Sequence, residues 1–381
     1  MENRKPTYTV QIHTPQELNH SSYIQTGLFE LQQQGMIEVK VVLSLKKNKG
    51  RLTVGDHKII TETAHAFPKA SFYTLIDNTT QQKITFATDL YDHAEHFSKT
   101  ALDTCDYYFK RNFESSFVKA VQKETHATIC KLGFTFGTHS EYKQGAFKFH
   151  IGLLLTNIRL AVKWDRAFLK RIVNTYKRQK RHWHFINTSR KVTRFEAYET
   201  PNEKTILFQT RCFLHENDID VQQIHQQRYR IIKLLRIQFP NHFLGGFVPS
   251  KIAVEKYDDA LTNVPIEPEA YLNAMKKAKI VIYTRGLANS PAWKMAEYLS
   301  QGKVIIAEPL TAELPVPLIE GKELLYFQND TELIDKIKTV MDDEVLATRL
   351  SKNGRAYFEK HIHPVQNTKR ILEHMLQKPL S

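Results

Sequence analysis

Near the C-terminus, residues 279–299 read as a strand, a tight turn and a helix start, and no other run restricts the fold so sharply. Lys279-Ile280-Val281-Ile282-Tyr283 is apolar and β-branched, the composition of a buried strand. Gly286 releases the chain into a turn. Ser290 and Pro291 fit the N-cap and first position of a helix. Lys294 then falls early in that helix, where the macrodipole disfavours a cation unless an anion sits beside it. Helix N-termini bind phosphate through their open N–H groups. Glu297 is three residues on and shares a face with Lys294. The set suits a nucleotide diphosphate, with Lys294 and the N–H groups on phosphate and Glu297 on ribose hydroxyls. The competing reading is a solvated Lys/Glu pair on an ordinary αβ unit.

The sequence after the helix favours the ligand reading. Gly302, Lys303 and the apolar run 304–307 predict a second buried strand, and 320–327 a third. Helices are expected over 331–341 and about 344–358. This order resembles the C-terminal domain of GT-B glycosyltransferases of the group 1 family. Many members carry a glutamate, seven residues, a second glutamate, then the rest of a helix, Gly and an apolar strand. Glu297 matches the second glutamate, and the first, which contacts the donor sugar in the family, falls on Asn289. The run Ser290-Pro291-Ala292-Trp293-Lys294-Met295-Ala296-Glu297-Tyr298 also resembles a branch of bacterial surface-polysaccharide enzymes. The close resemblance covers the last third of the chain; the N-terminal half matches in layout. It implies an α/β GT-B fold of two Rossmann-like, doubly wound domains facing a cleft. It also implies a nucleotide-sugar that is a substrate rather than a cofactor, and a hexosyltransferase-like reaction onto a glycan or lipid-linked acceptor.

The N-terminal half alternates strand and helix patterns. Strands are predicted over 8–13, 37–43, 71–76, 83–88 and 106–109, and a helix over 21–34 with Ser21 as N-cap and Gly35 as stop. That order suggests a doubly wound parallel sheet. The polar stretch 197–204 carries Pro201 and reads as the linker, giving an acceptor domain over 1–196 and a donor domain over 203–381. The donor domain opens with a strand over 205–210, a helix over about 221–238, and a turn at Gly245-Gly246. Arg211 lies just past that first strand, at the edge where open α/β sheets bind ligands, and can clamp a diphosphate with two parallel hydrogen bonds. An interdomain salt bridge is the alternative. Group 1 members often place a lysine five residues after this arginine; here that position is Glu216. Arg228 and Arg230, on the next helix, read as solvated. The donor-side set is therefore Arg211, Gly286, Asn289, Ser290, Lys294 and Glu297. The tail beyond Pro364 either packs on its own domain or returns to the first, as GT-B tails often do.

Charge is concentrated. Between Thr156 and Phe195 there are twelve Lys and Arg residues and one acid, Asp165, so most of the chain's net +14 sits there. Arg159, Lys163, Arg166, Lys170 and Lys177 fall on one helical stripe, and Ala161, Trp164, Phe168, Ile172 and Tyr176 on another. A basic amphipathic helix over 158–181 fits an anionic membrane surface. A plain surface helix fits equally. Nucleic acid is not expected, because no helix-turn-helix, zinc-finger or RNA-binding signature is present. A non-catalytic basic protein that binds an anionic polymer or membrane is the alternative to an enzyme.

For acid–base chemistry the run Asp89-Leu90-Tyr91-Asp92-His93 closes a predicted strand. Asp89 is the first candidate base or acceptor contact, then Asp92 and His93. His20 and Ser21 sit before a helix start and are candidate acceptor-side residues. No His/Asp/Glu spacing reads as a metal set, so a metal-independent transferase is expected. Cys105, Cys130 and Cys212 are far apart and form neither a zinc pattern nor a disulfide framework, which favours a reducing cytosol. With no signal-peptide pattern and no membrane-length apolar run, the expected place is the cytoplasm, with peripheral attachment to the inner face of the membrane.

Overall fold

The computed structural model describes residues 6–380 except 18–19, 45–49, 56–58, 63–68, 161–166, 199–203 and 216. The chain divides into two compact units. The first comprises Met1–Val192, Ala312–Pro315 and Ile362–Ser381, and the second Thr193–Thr311 and Val316–His361.

The first unit begins with β1 (Tyr8–Thr14), α1 (Ser22–Gln33), β2 (Glu38–Leu43), β3 (Arg51–Val54), β4 (Ile59–Glu62), β5 (Ala70–Asp77) and β6 (Lys83–Asp89). It continues through β7 (His96–Ser98), α2 (Lys99–Thr104), β8 (Tyr107–Lys110), α3 (Ser115–Gln122), β9 (Thr128–Lys131), α4 (Ala146–Leu160) and α5 (Phe168–Ser189). Its main sheet has the order β2-β1-β5-β6-β8-β9. The expected parallel sheet is modified at its centre, where β5 runs antiparallel to both β1 and β6. The cause is the short link 78–82. It is too short for a crossover, so it closes a hairpin instead. Asp77 Oδ1 accepts the N–H groups of Thr79 (2.8 Å) and Thr80 (3.1 Å), and Gln81 takes φ 59°. A small antiparallel sheet, β4-β3-β7, sets Leu52, Val54 and Ile59 against a core that includes Phe72, Phe97 and Tyr108.

The short helix α6 (Val192–Glu196) spans the division between the units. The second unit then runs β10 (Ile206–Thr210), α7 (Ile219–Gln238), β11 (Phe243–Phe247), α8 (Lys251–Lys256), α9 (Pro268–Lys277), β12 (Ile280–Tyr283), α10 (Trp293–Ser300), β13 (Val304–Ala307), β14 (Leu325–Tyr326), α11 (Asp330–Asp342) and α12 (Glu344–Tyr357). Its sheet, β11-β10-β12-β13-β14, is wholly parallel. The order reverses between β10 and β12, which is the topological switch point of a doubly wound sheet. Both units are thus Rossmann-like α/β assemblies. The Gly245-Gly246 pair lies inside β11 rather than in a turn. A Cβ on Gly245 would stand 2.1 Å from the Phe208 carbonyl oxygen, and one on Gly246 2.5 Å from that of Ala260. With φ of 136° and 141°, both positions require glycine.

One boundary differs from the sequence expectation, and the tail takes one of the two places left open for it. The division falls at Val192, ahead of the polar stretch 197–204. The final helix α13 (Pro364–Leu376) belongs to the first unit and packs along α1. Gly27 makes that approach: a Cβ there would lie 2.1 Å from Thr368 Oγ1 and 2.4 Å from the Pro364 carbonyl. Asn367 Nδ2 donates to the Leu132 carbonyl (3.0 Å), and Tyr23 donates its hydroxyl to the carbonyl of Ile362.

Candidate functional site

In the second unit the chain leaves β10 and β12 side by side at the switch point. Arg211 follows β10 with its side chain exposed. Beneath it, Arg228 of α7 is buried, donating Nη1 to the Arg211 carbonyl (2.9 Å) and Nη2 to the Arg285 carbonyl (3.2 Å). Arg228 therefore ties together the two loops that end the switch-point strands, and its expected solvated position is corrected. Its place follows from helix period. Val221, Ile224, His225, Arg228, Ile231, Ile232 and Leu235 form the buried stripe of α7.

The loop after β12 is held from three sides. Asp220, in the first turn of α7, pairs with the Arg285 guanidinium and accepts the Ala288 N–H (2.9 Å). Glu308, after β13, accepts the Arg285 N–H (2.7 Å). Ala288 and Asn289 both adopt left-handed backbone, φ 51° and 55°, which a non-glycine residue holds only at some strain. Gly286 donates its N–H to the Ser290 carbonyl (3.2 Å), and a Cβ there would lie 2.6 Å from that oxygen.

The helix start is shifted from the expected one. α10 begins at Trp293 with Ala292 at its N-cap, while Ser290 is buried in an extended link. The bond that displaces it is local: Tyr283 Oη accepts the Ala292 N–H (2.9 Å) and holds the link straight. Lys294 still falls in the first turn, but it is half-buried and turned inward. Its Nζ donates to the Gln209 carbonyl and to Tyr271 Oη (3.1 Å), and lies 5.0 Å from the centre of the Tyr271 ring. Glu297 is 6% exposed on the same face. Burial pushes the Lys294 pKa down to about 8; Glu297 raises it, and Arg228 and Arg211 lower it further. Burial, then Arg211, lowers Arg228 to about 10. Arg228 and Arg211 thus both disfavour the charged form of Lys294, and Arg211 disfavours that of Arg228. Glu216 lies outside the described residues.

In the first unit the turn after β6 separates its two carboxylates. Asp89 is 0% exposed. Its Oδ2 accepts Tyr108 Oη (2.6 Å) and Lys110 Nζ (2.9 Å), and its Oδ1 the Tyr91 N–H (2.7 Å). The expectation that Asp89 faces a ligand is corrected, and the reason is register. β6 and β8 pair in parallel with Asp89 beside Lys110, so both charges enter the interior together. Asp92 is half-buried against Arg111, with Lys69 Nζ at 3.9 Å. Burial raises its pKa, but Arg111, Lys69 and His20 outweigh it and hold the group below the ordinary carboxylate range. His20 stands in the same field, its Nδ1 3.3 Å from Glu17 Oε2. Ser21 is fully buried and donates to the Glu17 carbonyl, so it shapes the entry to α1 rather than lining an open site.

His93 turns toward Glu95, with Nδ1 2.9 Å from Oε1, and its ring stacks on His96 at 4.4 Å. The expected absence of a metal-spaced grouping is corrected here, since His93, Glu95 and His96 bring one donor atom each within 4.8 Å of one another. The basic segment is two helices rather than one. Lys163, Trp164 and Arg166 fall in 161–166, outside the described residues. On α5, Lys170, Lys177, Arg178, Lys180 and Arg181 are exposed, and a groove of about 740 Å³ is lined by Asn174, Lys177, Lys180, Arg181 and His184. No helix among the described residues is long and apolar enough to cross a membrane.

Residues 228–373 match the family model described as "Glycosyl transferase-like". This segment is glycosyl transferase-like. The match starts at Arg228, takes in the whole 284–297 region and ends within α13. The resemblance carried by Ser290–Tyr298 lies inside it. No curated protein matches the chain. Among solved structures, the chain overlays TarM with a TM-score of 0.35 and 15% identity, covering 86% of this chain and 70% of that one. Anabaena HepE in complex with UDP overlays at a TM-score of 0.31 and 12% identity, covering 71% and 92%. The C-terminal domain of the Francisella tularensis group 1 protein LpcC overlays at 0.31 and 9%, covering 42% and 87%. Overlays this loose carry no argument about activity.

Within the glycosyl transferase-like segment the structure gathers Gly286, Asn289, Ser290, Lys294 and Glu297 onto one loop–helix unit, with Arg211 on the neighbouring loop. Sequence reading missed Arg228, Asp220, Glu308 and Tyr271. Arg228 carried a signal, since it falls, with His225, on the otherwise apolar stripe of α7. The other three meet the site only through tertiary packing.

Proposed function

We propose that the protein moves a sugar from a nucleotide-sugar donor to a glycan or lipid-linked acceptor. The observation that carries this reading is the cluster of Arg211, Arg228 and Lys294 at the switch point of the second sheet. Three mutually repelling cations at the carboxyl edge of a parallel sheet are stabilised by a bound polyanion. The diphosphate lies against Arg211, the exposed cation. Arg228 and Lys294 lend field from below while holding the backbone, and Glu297 takes the ribose hydroxyls. In transfer, the acceptor oxygen bonds to the anomeric carbon as the bond from that carbon to the phosphate oxygen breaks. The leaving nucleoside diphosphate gains negative charge, and a preorganised cationic site stabilises that charge more than the ground state. On the first unit Asp92 and His20 contact the acceptor. Asp92 is ionised at neutral pH and takes the proton of the attacking hydroxyl as the new bond to the anomeric carbon forms.

A thermal-shift screen against UDP, GDP, CDP, ADP and dTDP tests the donor site. One nucleotide is expected to raise Tm in the native protein and to lose that effect in Arg211→Ala. No rise with any nucleotide removes the donor-site reading. The exposed basic face of α5 then becomes the main site, which is the reading of a non-catalytic binder of anionic polymers or membranes.

A further inference from the structure

The turn between β6 and β7 is built as a frame. Lys110, fully buried and paired with Asp89, donates Nζ to the His96 carbonyl (2.7 Å) and lies 3.5 Å from that of His93. The His96 N–H donates to the His93 carbonyl (3.4 Å), which closes the turn. Tyr91 meets the His96 ring edge-on at 5.9 Å. On this fixed backbone His93 and Glu95 point out to solvent, with side chains 44% and 30% exposed, while His96 is 12% exposed behind them. Glu95 Oε1 lies 2.9 Å from His93 Nδ1 and 4.0 Å from His96 Nε2. Two imidazoles and one carboxylate therefore converge without needing an ion to gather them.

We propose that His93, Glu95 and His96 bind a divalent transition-metal ion of the zinc class, leaving at least one coordination position to water or a ligand. Two imidazoles with one carboxylate are a ligand set for such ions, and three protein ligands with an open fourth position is the open form of a zinc site. Calcium and magnesium are disfavoured because the set offers one carboxylate and two nitrogens where those ions take oxygens. The three donor atoms lie within 4.8 Å of one another, so binding requires these partly exposed side chains to rotate until each donor stands about 2 Å from the ion. The surrounding charges are mixed. Asp92 and Arg51 act in opposite senses on His93, and Arg51 and Lys110 both act on His96. The carboxylate of Glu95 is thus the group that offsets the ion's charge, and the site stands independently of the donor-site reading.

The test uses the full-length protein stripped with chelator and titrated with Co²⁺, read by its visible ligand-field absorption, then back-titrated with Zn²⁺. One Co²⁺ per chain is expected, displaced by Zn²⁺. His93→Gln/His96→Gln is expected to weaken binding by about 10–100-fold or more, the range already produced by losing a supporting group. Cys130 Sγ and His374 Nε2 lie 3.4 Å apart and are the competing donor pair, so Cys130→Ser must leave the signal intact. Circular dichroism reports folding of each variant, and the exposed Glu95→Gln serves if the double variant is unfolded. Absence of Co²⁺ binding in the native protein overturns the proposal, as does unchanged affinity in the folded variants.

Discussion

Arg228 of α7 donates to the main-chain carbonyl of Arg211, 2.9 Å away, and so carries the end of β10 on a buried guanidinium. The same side chain reaches the Arg285 carbonyl at 3.2 Å. One charged group thus couples helix α7 to both loops of the switch point. Arg228→Met keeps much of the apolar stem but leaves two carbonyls without their donor. The expected loss is about 1–3 kcal/mol of stability, because buried acceptors stripped of a charged donor are costly. Nucleotide binding should weaken as well, since both loops lose their shared anchor. Urea unfolding with the nucleotide titration repeated on the variant checks this. A variant of native stability and affinity would show the bridge to be incidental.

Asp89 and Lys110 make a second decisive pair, both at 0% exposure. Removing one partner leaves an uncompensated charge in the interior. Lys110→Met is expected to destabilise the first unit by about 3–5 kcal/mol. Asp89→Leu combined with Lys110→Met should recover only part of that loss: it removes the unpaired charge, but leaves the Tyr108 hydroxyl, the Tyr91 N–H and the His96 carbonyl without their partners. A double-mutant cycle in chemical denaturation gives the coupling directly. If the single variant unfolds with unchanged stability, the pair does not hold the interior of the first unit.

Lys294 sets an expected pH dependence. Burial and the neighbouring arginines depress its pKa in the folded chain to about 8, below its ordinary value of 10.5. Between those two values the unfolded chain binds more protons than the folded one. The folded state therefore carries a penalty that is complete below about pH 8 and is relieved as pH rises toward 10.5. Stability should increase with pH across that window. Nucleotide affinity should move the opposite way, falling as pH passes 8, because the cationic cluster loses a charge. Lys294→Met should flatten both profiles, and identical slopes in the native protein and the variant would assign the titration to another group.

The fold was largely legible because its elements announce themselves locally. The strand Ile280–Tyr283 is a continuous apolar run, Ile206–Thr210 opens with Ile-Leu-Phe, and the Glu297 region carries a strand–turn–helix pattern. The antiparallel β5 was less visible, since its direction depends on whether the link 78–82 closes a hairpin. The inward turn of Lys294 was not visible at all. Its acceptors, Gln209 and Tyr271, are 85 and 23 residues away and meet it only after α9 and β10 pack. Asp89 shows the same limit. A carboxylate at a strand end reads as a ligand contact until its register partner proves to be a lysine.

The basic face of α5 offers a prediction of another kind. Lys177, Lys180 and Arg181 line one groove and are exposed. Each cation near an anionic bilayer is worth about 1 kcal/mol, and that contribution decays within a Debye length. Replacing all three by Gln should therefore lower affinity for vesicles containing anionic lipid by about 100-fold at low salt. The native protein should also release as salt is raised, whereas neutral vesicles should not bind either form. These substitutions lie on an exposed helix face, so Tm should stay within the range of ordinary surface changes. Co-sedimentation at two ionic strengths measures it. Equal binding of the native protein and the triple variant to anionic vesicles would place any membrane contact elsewhere on the chain. It would leave the groove a solvated surface, with α5 held by its buried face alone.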